Sequence, residues 1–491
     1  MNKLNTAPHG ESYATMVSEE DEMYEIGRKA WKSASRAAKH MSKHSRIVNP
    51  SAEKRIPRFD EQEIVVGKML GSGGFNNVYE LEEVKLLENP LHSNHSRKMI
   101  SDLQTSLRSN VAERCYHEAS GSSRYAIKFL SKDTLRDPDR FYTGAADLVV
   151  EAKFLASLDH PNIVKLRGMA AAGTSGFATC RPKGYFLLLD RLQCTLDDKV
   201  EEWKELEHKT NASLQRKLLD RSGKKQQQLL SDRLKVALEV ASALSYLHEN
   251  NVIYRDLKPD NIGFDVHGDV KIFDFGLAKE LDDSMRARGC DDFYELSGNT
   301  GSLRYMAPEV ALSENYNLTA DVYSFGLLLW QIASLNLPYD GMSRADHSFC
   351  VVKGNERPVM DSNWPPTLCV LMKRSWDPDP CLRPSMDSVH KLLKREIVSL
   401  RGGDDTDVRP SRRRSSLFFR RGSASNNEDS RGSLGNLLSR VSSMQGSRPQ
   451  TPSRRNSTEV PRRHSPNPSG NSKQPRGKSP KRALSHQPLA A

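Results

Sequence analysis

The sequence predicts an α+β domain in two unequal parts, strands first and helices after, flanked by less ordered termini. Three observations predict it. From Glu63 to about residue 190 the apolar residues fall in short β-branched or aromatic runs, EIVVGKML, NNVYEL, RYAIKFL and YFLLLD. Beyond them, to about Leu400, long segments repeat apolar residues at helical spacing. Residues 401–491 then hold 19 Lys/Arg against 6 Asp/Glu, with 18 Ser and 9 Pro. A segment of that kind cannot bury enough surface to offset the entropy of ordering it.

Taken in order, residues 1–62 are polar and expected to be largely disordered, with one amphipathic helix over about 19–44. Ser18 with Asp21 reads as a capping box, and Met23, Ile26, Ala30, Ala34, Ala37 and Met41 recur on one face. Glu19, Glu20, Asp21 and Glu22 suit the positive end of the helix dipole. Because the stripe is mostly alanine, docking on the chain's own domain is favoured over a membrane-surface or partner helix. The globular pattern runs from Glu63 to about Leu400 in two parts, strands early and helices late. Polar residues 83–122 read as an insertion. The segment AADLVVEAKFLASLDHPNIV is a helix with Glu151 on its inner face beside Leu148, Leu155 and Leu158. Residues 201–230, rich in Lys, Glu and Gln, read as a solvated helical excursion. The next helix opens with Ser231 as N-cap and carries Leu234, Leu238, Ala241, Leu244 and Leu247 inward, ending at Asn250-Asn251.

Composition excludes several classes. Only 37% of the 491 residues are hydrophobic, so one packed domain diluted by polar segments is expected. The net charge of +11 resides in the tail, at +13, leaving −2 for the first 400 residues, so the folded part has no nucleic-acid signature. No apolar run approaches a membrane span, and the N-terminus has no secretory core. The seven scattered cysteines contain no C-x-x-C pair, which argues against a disulfide framework or thiolate zinc site and for a reducing, cytoplasmic compartment.

Five short motifs carry chemistry. G71-S-G-G-F-N-N-V78 lies between two strands, where Gly71 and Gly73 let backbone N–H groups approach phosphate; by itself it is as well read as a β-turn. A strand follows the glycines, which excludes a dinucleotide fingerprint, and no G-K-[ST] follows. In A126-I-K128 a strand lysine is the cation that Glu151, on an apolar helix face, needs; the plain alternative is an edge charge and a rim carboxylate. Y254-R-D-L-K-P-D-N261 supplies what phosphoryl transfer requires: a carboxylate for the hydroxyl proton in Asp256, a cation in Lys258, an oxygen ligand in Asn261. D274-F-G276 follows the apolar run VKIF, with Gly276 expected to permit an unusual backbone and Asp274 able to bind magnesium. M306-A-P-E309 closes the series beyond a polar segment.

In this order the motifs resemble the eukaryotic protein kinase family over about residues 63–398. The resemblance implies a bilobal protein-kinase-like fold over 63–398, with a small antiparallel β-rich N-lobe at 63–189, a hinge at 190–193 and a larger helical C-lobe at 194–398. It implies ATP and Mg2+ as cofactors and protein substrates. Leu70, Gly71, Gly73 and Val78 would form the flap over ATP; Ala126 would line the adenine site, Lys128 would hold the α/β phosphates and Glu151 would pair with it. Asp256 would be the catalytic base, Lys258 would neutralise the γ-phosphoryl, and Asn261 and Asp274 would bind magnesium. Leu189 falls at the gatekeeper position, with Asp190-Arg191-Leu192 as hinge. Glu309 should pair with Arg383, and Asp321 should brace the catalytic loop. Lys258 with Ser302 looks like the Ser/Thr type, and Arg357-Pro358 with SWDPDPCLRPS resembles the tyrosine-kinase-like group, although the Y-R-D triplet is more like cyclic-nucleotide-dependent relatives.

Three departures stand out. Asn76 replaces the third flap glycine, implying a stiffer tip; Tyr254 replaces the catalytic-loop histidine; and Gly263 stands where an adenine-floor leucine is usual, with the Phe273 ring expected to fill the vacated volume. Arg255 is placed to clamp a phosphorylated Ser297 or Thr300, unless Asp291, Asp292 and Glu295 already satisfy the nearby bases. In the tail, R412-R-R-S415-S416, R420-R-G-S423, R454-R-N-S457 and the Ser/Thr-Pro pairs at 451, 465 and 479 look like kinase sites. Phosphoserine-binding adaptors or acidic surfaces are the partners this suggests, with the nucleus open as a second location. With only Phe418 and Phe419 as aromatics, specific nucleic-acid binding is not expected. A monomer is expected, and the competing function is a pseudokinase scaffold acting through the basic tail.

Overall fold

A computed structural model describes residues 10–87, 98–117, 122–211, 224–289 and 292–402. In chain order the strands are β1 Arg58–Phe59, β2 Ile64–Ser72, β3 Asn76–Val84, β4 Tyr116–His117, β5 Ser122–Ser123, β6 Tyr125–Leu130, β7 Leu166–Ala170, β8 Phe186–Asp190, β9 Cys194–Thr195, β10 Val252–Ile253, β11 Ile262–Phe264, β12 Val270–Ile272 and β13 Lys279–Glu280. The helices are α1 Gly10–His44, α2 Pro50–Glu53, α3 Lys98–Glu113, α4 Lys132–Arg136, α5 Pro138–Ser157, α6 Leu196–Asn211, α7 Lys224–Glu249, α8 Pro308–Ala311, α9 Thr319–Ser334, α10 Arg344–Asp346, α11 Pro366–Ser375 and α12 Met386–Leu400. Strands lead and helices follow, as expected. The tail beyond residue 402, with its proposed phosphorylation sites, lies outside the described residues, as do residues 1–9 and Asp291.

The N-lobe sheet runs β1-β7-β8-β6-β3-β2. Its pairs are antiparallel apart from β1 with β7, which is parallel, so the lobe is not antiparallel throughout. Phe59 of β1 is fully buried, and Gly168 makes room for it, since a Cβ there would lie 2.7 Å from the ring. β1 lies ahead of Glu63, so the expected boundary at 62 cuts through the sheet. Ahead of β1, the expected amphipathic helix is present and longer than expected, as α1, and α2 follows it. Ser18 falls inside α1 rather than at its cap, because the helix already runs from Gly10.

Two insertions take form. In the first, α3 lies against β1 and β3: Gln104 bridges the backbone of Lys54, Ile56 and Arg58 at 3.0–3.2 Å, and Arg108 pairs with the buried carboxylate of Glu63. In the second, α6 and α7 flank residues 212–223, which lie outside the described set. Ser231 is not an N-cap. It is buried within α7, and its hydroxyl accepts from Arg401 Nε at 2.9 Å. The inward residues named for that helix, from Leu234 to Leu247, are buried as expected.

α5 runs from Pro138 to Ser157, so it starts seven residues before the expected AADLV run and stops short of LDHPNIV. Asp137 caps it by accepting from the N–H groups of Asp139 and Arg140, and Pro138 occupies the first position, where no donor is needed. Leu148, Ala152, Phe154 and Leu155 bury against the sheet and bring Glu151 with them. In the C-lobe, α9 is apolar around nearly its whole circumference and forms the central helix, packed on α7 and α11.

Candidate active site

The cleft is built from four sequence-distant segments. β6 delivers Lys128 and α5 delivers Glu151, whose atoms Nζ and Oε2 meet at 2.7 Å. Asp274, two residues beyond β12, places Oδ1 3.0 Å from the same Nζ. Burial opposes the charge on Lys128, but Asp274 and Glu151 outweigh it and hold the ammonium protonated. Burial also lifts Glu151, to about 7, against the pull of Lys128. Asp274 meets the same desolvation, but Lys128 and the Gly276 N–H keep it below the ordinary carboxylate range, so it carries the firm negative charge of the trio.

The catalytic loop forms a second network. Asn261 Nδ2 donates to Asp256 Oδ2 and to the Asp256 carbonyl, both at 2.9 Å. Lys258 Nζ lies 3.1 Å from Asp256 Oδ2 and donates to Ser302 Oγ at 2.9 Å, while Ser302 donates to Asp256 Oδ1 at 2.8 Å. The charge of Lys258 also helps to lower Asp274, an electrostatic link between the two networks. Asp321, buried on α9, accepts from the N–H groups of Tyr254 and Arg255 at 2.8 and 2.9 Å and from His248 Nε2 at 3.0 Å, bracing the loop as the resemblance implied. Tyr254, fully buried, donates its hydroxyl to the carbonyl of Phe273, so the residue in the histidine position ties the loop to the strand before Asp274.

Of the remaining flap and pocket residues, Leu70 and Gly71 end β2 and Val78 begins β3, paired with Gly71. Ala126 and Leu189 are buried neighbours on β6 and β8, and Asp190 is held by Arg167 through bonds of 2.7 and 2.9 Å. Gly73 donates to the Asn76 carbonyl at 2.7 Å, and the tip folds onto α4 and α5: the Phe75 carbonyl accepts from Ser131 N at 2.9 Å and Thr134 Oγ1 at 2.8 Å. Glu309 and Arg383 form a buried bidentate pair at 2.6 and 2.9 Å.

Two expectations are corrected. The volume at Gly263 is filled by Leu192, not Phe273; a Cβ there would sit 2.6 Å from Leu192 Cδ1. The unusual backbone of D274-F-G276 belongs to Asp274, at φ +64°, rather than to Gly276. Gly276 is needed for close approach, since its Cβ would lie 3.3 Å from the Cβ of Asp147. Asp147 escaped sequence reasoning. Burial and Asp274 raise its pKa to about 6, and its position one helical turn before Glu151 was the signal that could have found it. Arg255, at φ +71°, donates to the Leu277 carbonyl at 2.6 Å and to the Ser297 hydroxyl at 3.0 Å, and Ser297 bonds Thr300 at 2.9 Å.

Residues 64–393 match the profile of the protein tyrosine and serine/threonine kinase family. The chain is 36% identical over 172 residues to the serine/threonine-protein kinase STY17 of Arabidopsis thaliana, 35% of this chain and 28% of that protein. It is 36% identical over 162 residues to the serine/threonine/tyrosine-protein kinase HT1 of the same plant, 33% of this chain and 39% of the relative. Against the putative mitogen-activated protein kinase kinase kinase 7-like protein of Drosophila melanogaster it is 29% identical over 269 residues, 53% of this chain and 58% of that one. The aligned regions thus span less than two-thirds of each relative. The profile covers well over half of the chain, across both lobes and every motif named above, and the chain belongs to the protein tyrosine and serine/threonine kinase family.

Proposed function

We propose that the chain is an active protein serine/threonine kinase that moves the γ-phosphoryl group of ATP to protein hydroxyls. The observation that carries this reading is the meeting, in one cleft, of the Lys128–Glu151–Asp274 trio with the Asp256–Lys258–Asn261–Ser302 network. Asp256 holds its carboxylate between Lys258 and Asn261, oriented to accept the proton of an acceptor hydroxyl. Lys258 supplies positive charge beside the migrating group, and Lys128 is a fixed ammonium for the phosphates that precede it.

The residues suit a magnesium ion. Asn261 commits its amide nitrogen to Asp256, which leaves its oxygen as the donor atom, and the Asp274 side chain is 43% exposed to the cleft. Magnesium takes one or two such oxygens and completes its shell with phosphates and water. When bound, it would neutralise phosphate charge. The Ser/Thr assignment is supported by the Lys258–Ser302–Asp256 bridge and by the names of the relatives. Arg255, whose hydrogen-bond partners are a carbonyl and two hydroxyls, supports regulation by phosphate at Ser297 or Thr300.

Incubation of the full chain with Mg-ATP and a randomised peptide library, followed by mapping of the phosphate on both, tests the reading. Asp256→Asn is expected to lower kcat by about 10²–10⁴ with Mg-ATP binding retained. Binding without transfer by the natural chain would return the scaffold alternative.

A further inference from the structure

Glu151 reaches Lys128 only because α5 lies inward, and the surface that holds α5 there is not confined to the catalytic domain. α1 lies along the outer side of α5. It packs through small residues: Ala30 and Ala34 are fully buried, and Gly27 faces Ala178 and Cys180 rather than α5, where a Cβ would lie 2.6 Å from Cys180 Sγ and 2.7 Å from the Ala178 carbonyl. Such a face lets two backbones approach closely, and it leaves no room for a larger side chain.

Polar contacts fix the register at both ends of α5. Near its start, Ser33 donates to the Tyr142 carbonyl at 3.3 Å. Near its end, Lys153 donates to Ser42 at 3.2 Å and to Glu53 of α2 at 2.5 Å, and the N–H of Asn49 reaches Ser157 at 3.1 Å. Between the two helices the chain turns to another element. Ser45 donates to the Glu280 carboxylate, the Arg46 N–H reaches Glu280 Oε1 at 2.8 Å, and the Arg46 guanidinium lies 3.2 Å from Asp283. Glu280 belongs to β13, six residues after Asp274, and pairs across β10 with Val252, just ahead of the catalytic loop.

We propose that residues 10–53 form a tethered activator, whose seat on α5 and β13 couples the inward position of Glu151 to the start of the segment that follows Asp274. Outward rotation of α5 must break the Ser33–Tyr142, Ser42–Lys153 and Asn49–Ser157 contacts and uncover the α1 face that carries Ala30 and Ala34, and displacement of β13 must break those of Ser45 and Arg46. Each movement is therefore opposed by the same tether. The inference rests on the kinase reading for its effect on turnover, although not for the coupling itself.

The test uses the full chain carrying Ala30→Glu with Ala34→Glu, followed by hydrogen exchange, Mg-ATP affinity and turnover. Exchange is expected to rise in residues 24–44 and in α5 while α9 stays protected, and kcat should fall by about 5–150-fold, the usual span of coupling between sites. Release of α1 with kcat within about twofold of the natural chain overturns the proposal; so does an α1 that stays protected despite two buried charges. A second variant, Ser45→Ala with Arg46→Asp, removes the side-chain contacts to Glu280 and Asp283, together with the bonds that the Ser45 hydroxyl accepts from Ile47 and Val48, and leaves those of α1 with α5 in place. It should lower kcat with α1 still protected, and an unchanged kcat overturns the activation-segment half. Should the natural chain transfer no phosphate, the kinase reading fails, while α5 exchange and Mg-ATP affinity still decide the coupling.

Discussion

His160 lies between the lobes, stacked on Tyr246 with ring centroids 5.1 Å apart. Its Nδ1 accepts the N–H of Asn162 at 3.1 Å, so Nε2 carries the proton toward Ser242. Burial and then Lys271 lower its pKa to about 4 from 6.5. The unfolded chain therefore binds the proton more readily. The contribution of this residue is complete above pH 6.5 and is lost as pH falls toward 4. We expect the thermal midpoint of the natural chain to drop more between pH 7 and pH 5 than that of His160→Asn, read by calorimetry at both values. At this scale the charged and amide residues of the cleft were legible, because the chemistry of phosphoryl transfer restricts residue type. The reach of each side chain was not: Tyr254 to the Phe273 carbonyl, or Leu192 into the space at Gly263, depends on neighbours that the order of residues does not place.

Between elements, fit matters more than identity. β11 carries Gly263 against β9, and the Leu192 side chain occupies the room that a Cβ would need. Gly263→Leu should therefore overpack this corner, at about 1–3 kcal/mol, and weaken Mg-ATP binding. Adding Leu192→Ala should restore most of that binding, whereas adding Phe273→Ala should not; isothermal titration distinguishes the two. The helices α1 and α7 were legible from their apolar spacing, yet both begin earlier than a serine suggested. Capping chemistry decides a boundary only where the residues before it resist helix, and KKQQQLL does not. That α1 docks on its own domain was legible from the alanine stripe, but its seat on α5 was not, because its partner lies more than 100 residues away. The helix α3 inside a polar insertion was hidden too: its strongest anchor is the ion pair of Arg108 with Glu63, not an apolar face.

Across the whole molecule, the C-lobe is held to the chain around Glu309 by Arg383. The guanidinium has no exposed surface, makes two bonds to Glu309, donates to the carbonyls of Asp377 and Thr319, and stands 5.2 Å from the Tyr323 ring. Removing one partner leaves a buried charge, so Arg383→Met should cost about 3–5 kcal/mol in urea unfolding. Glu309→Leu with Arg383→Met should be less damaging than the single change, since no unpaired charge remains. The bilobal order was legible at this scale because strands and helices segregate along the chain. The limits of the folded body were not, because composition marks where a segment is polar and not whether two of its residues complete a sheet.

Phe59 and Arg58 have a practical consequence for anyone expressing the catalytic lobes separately. A fragment that starts at Glu63 would look sensible by composition, but it strips a strand from the border of β7 and uncovers Gly168. Bare ladder groups beside an apolar hollow invite another molecule to fill them. Such a fragment should self-associate on size-exclusion chromatography, and one beginning ahead of Pro57 should not.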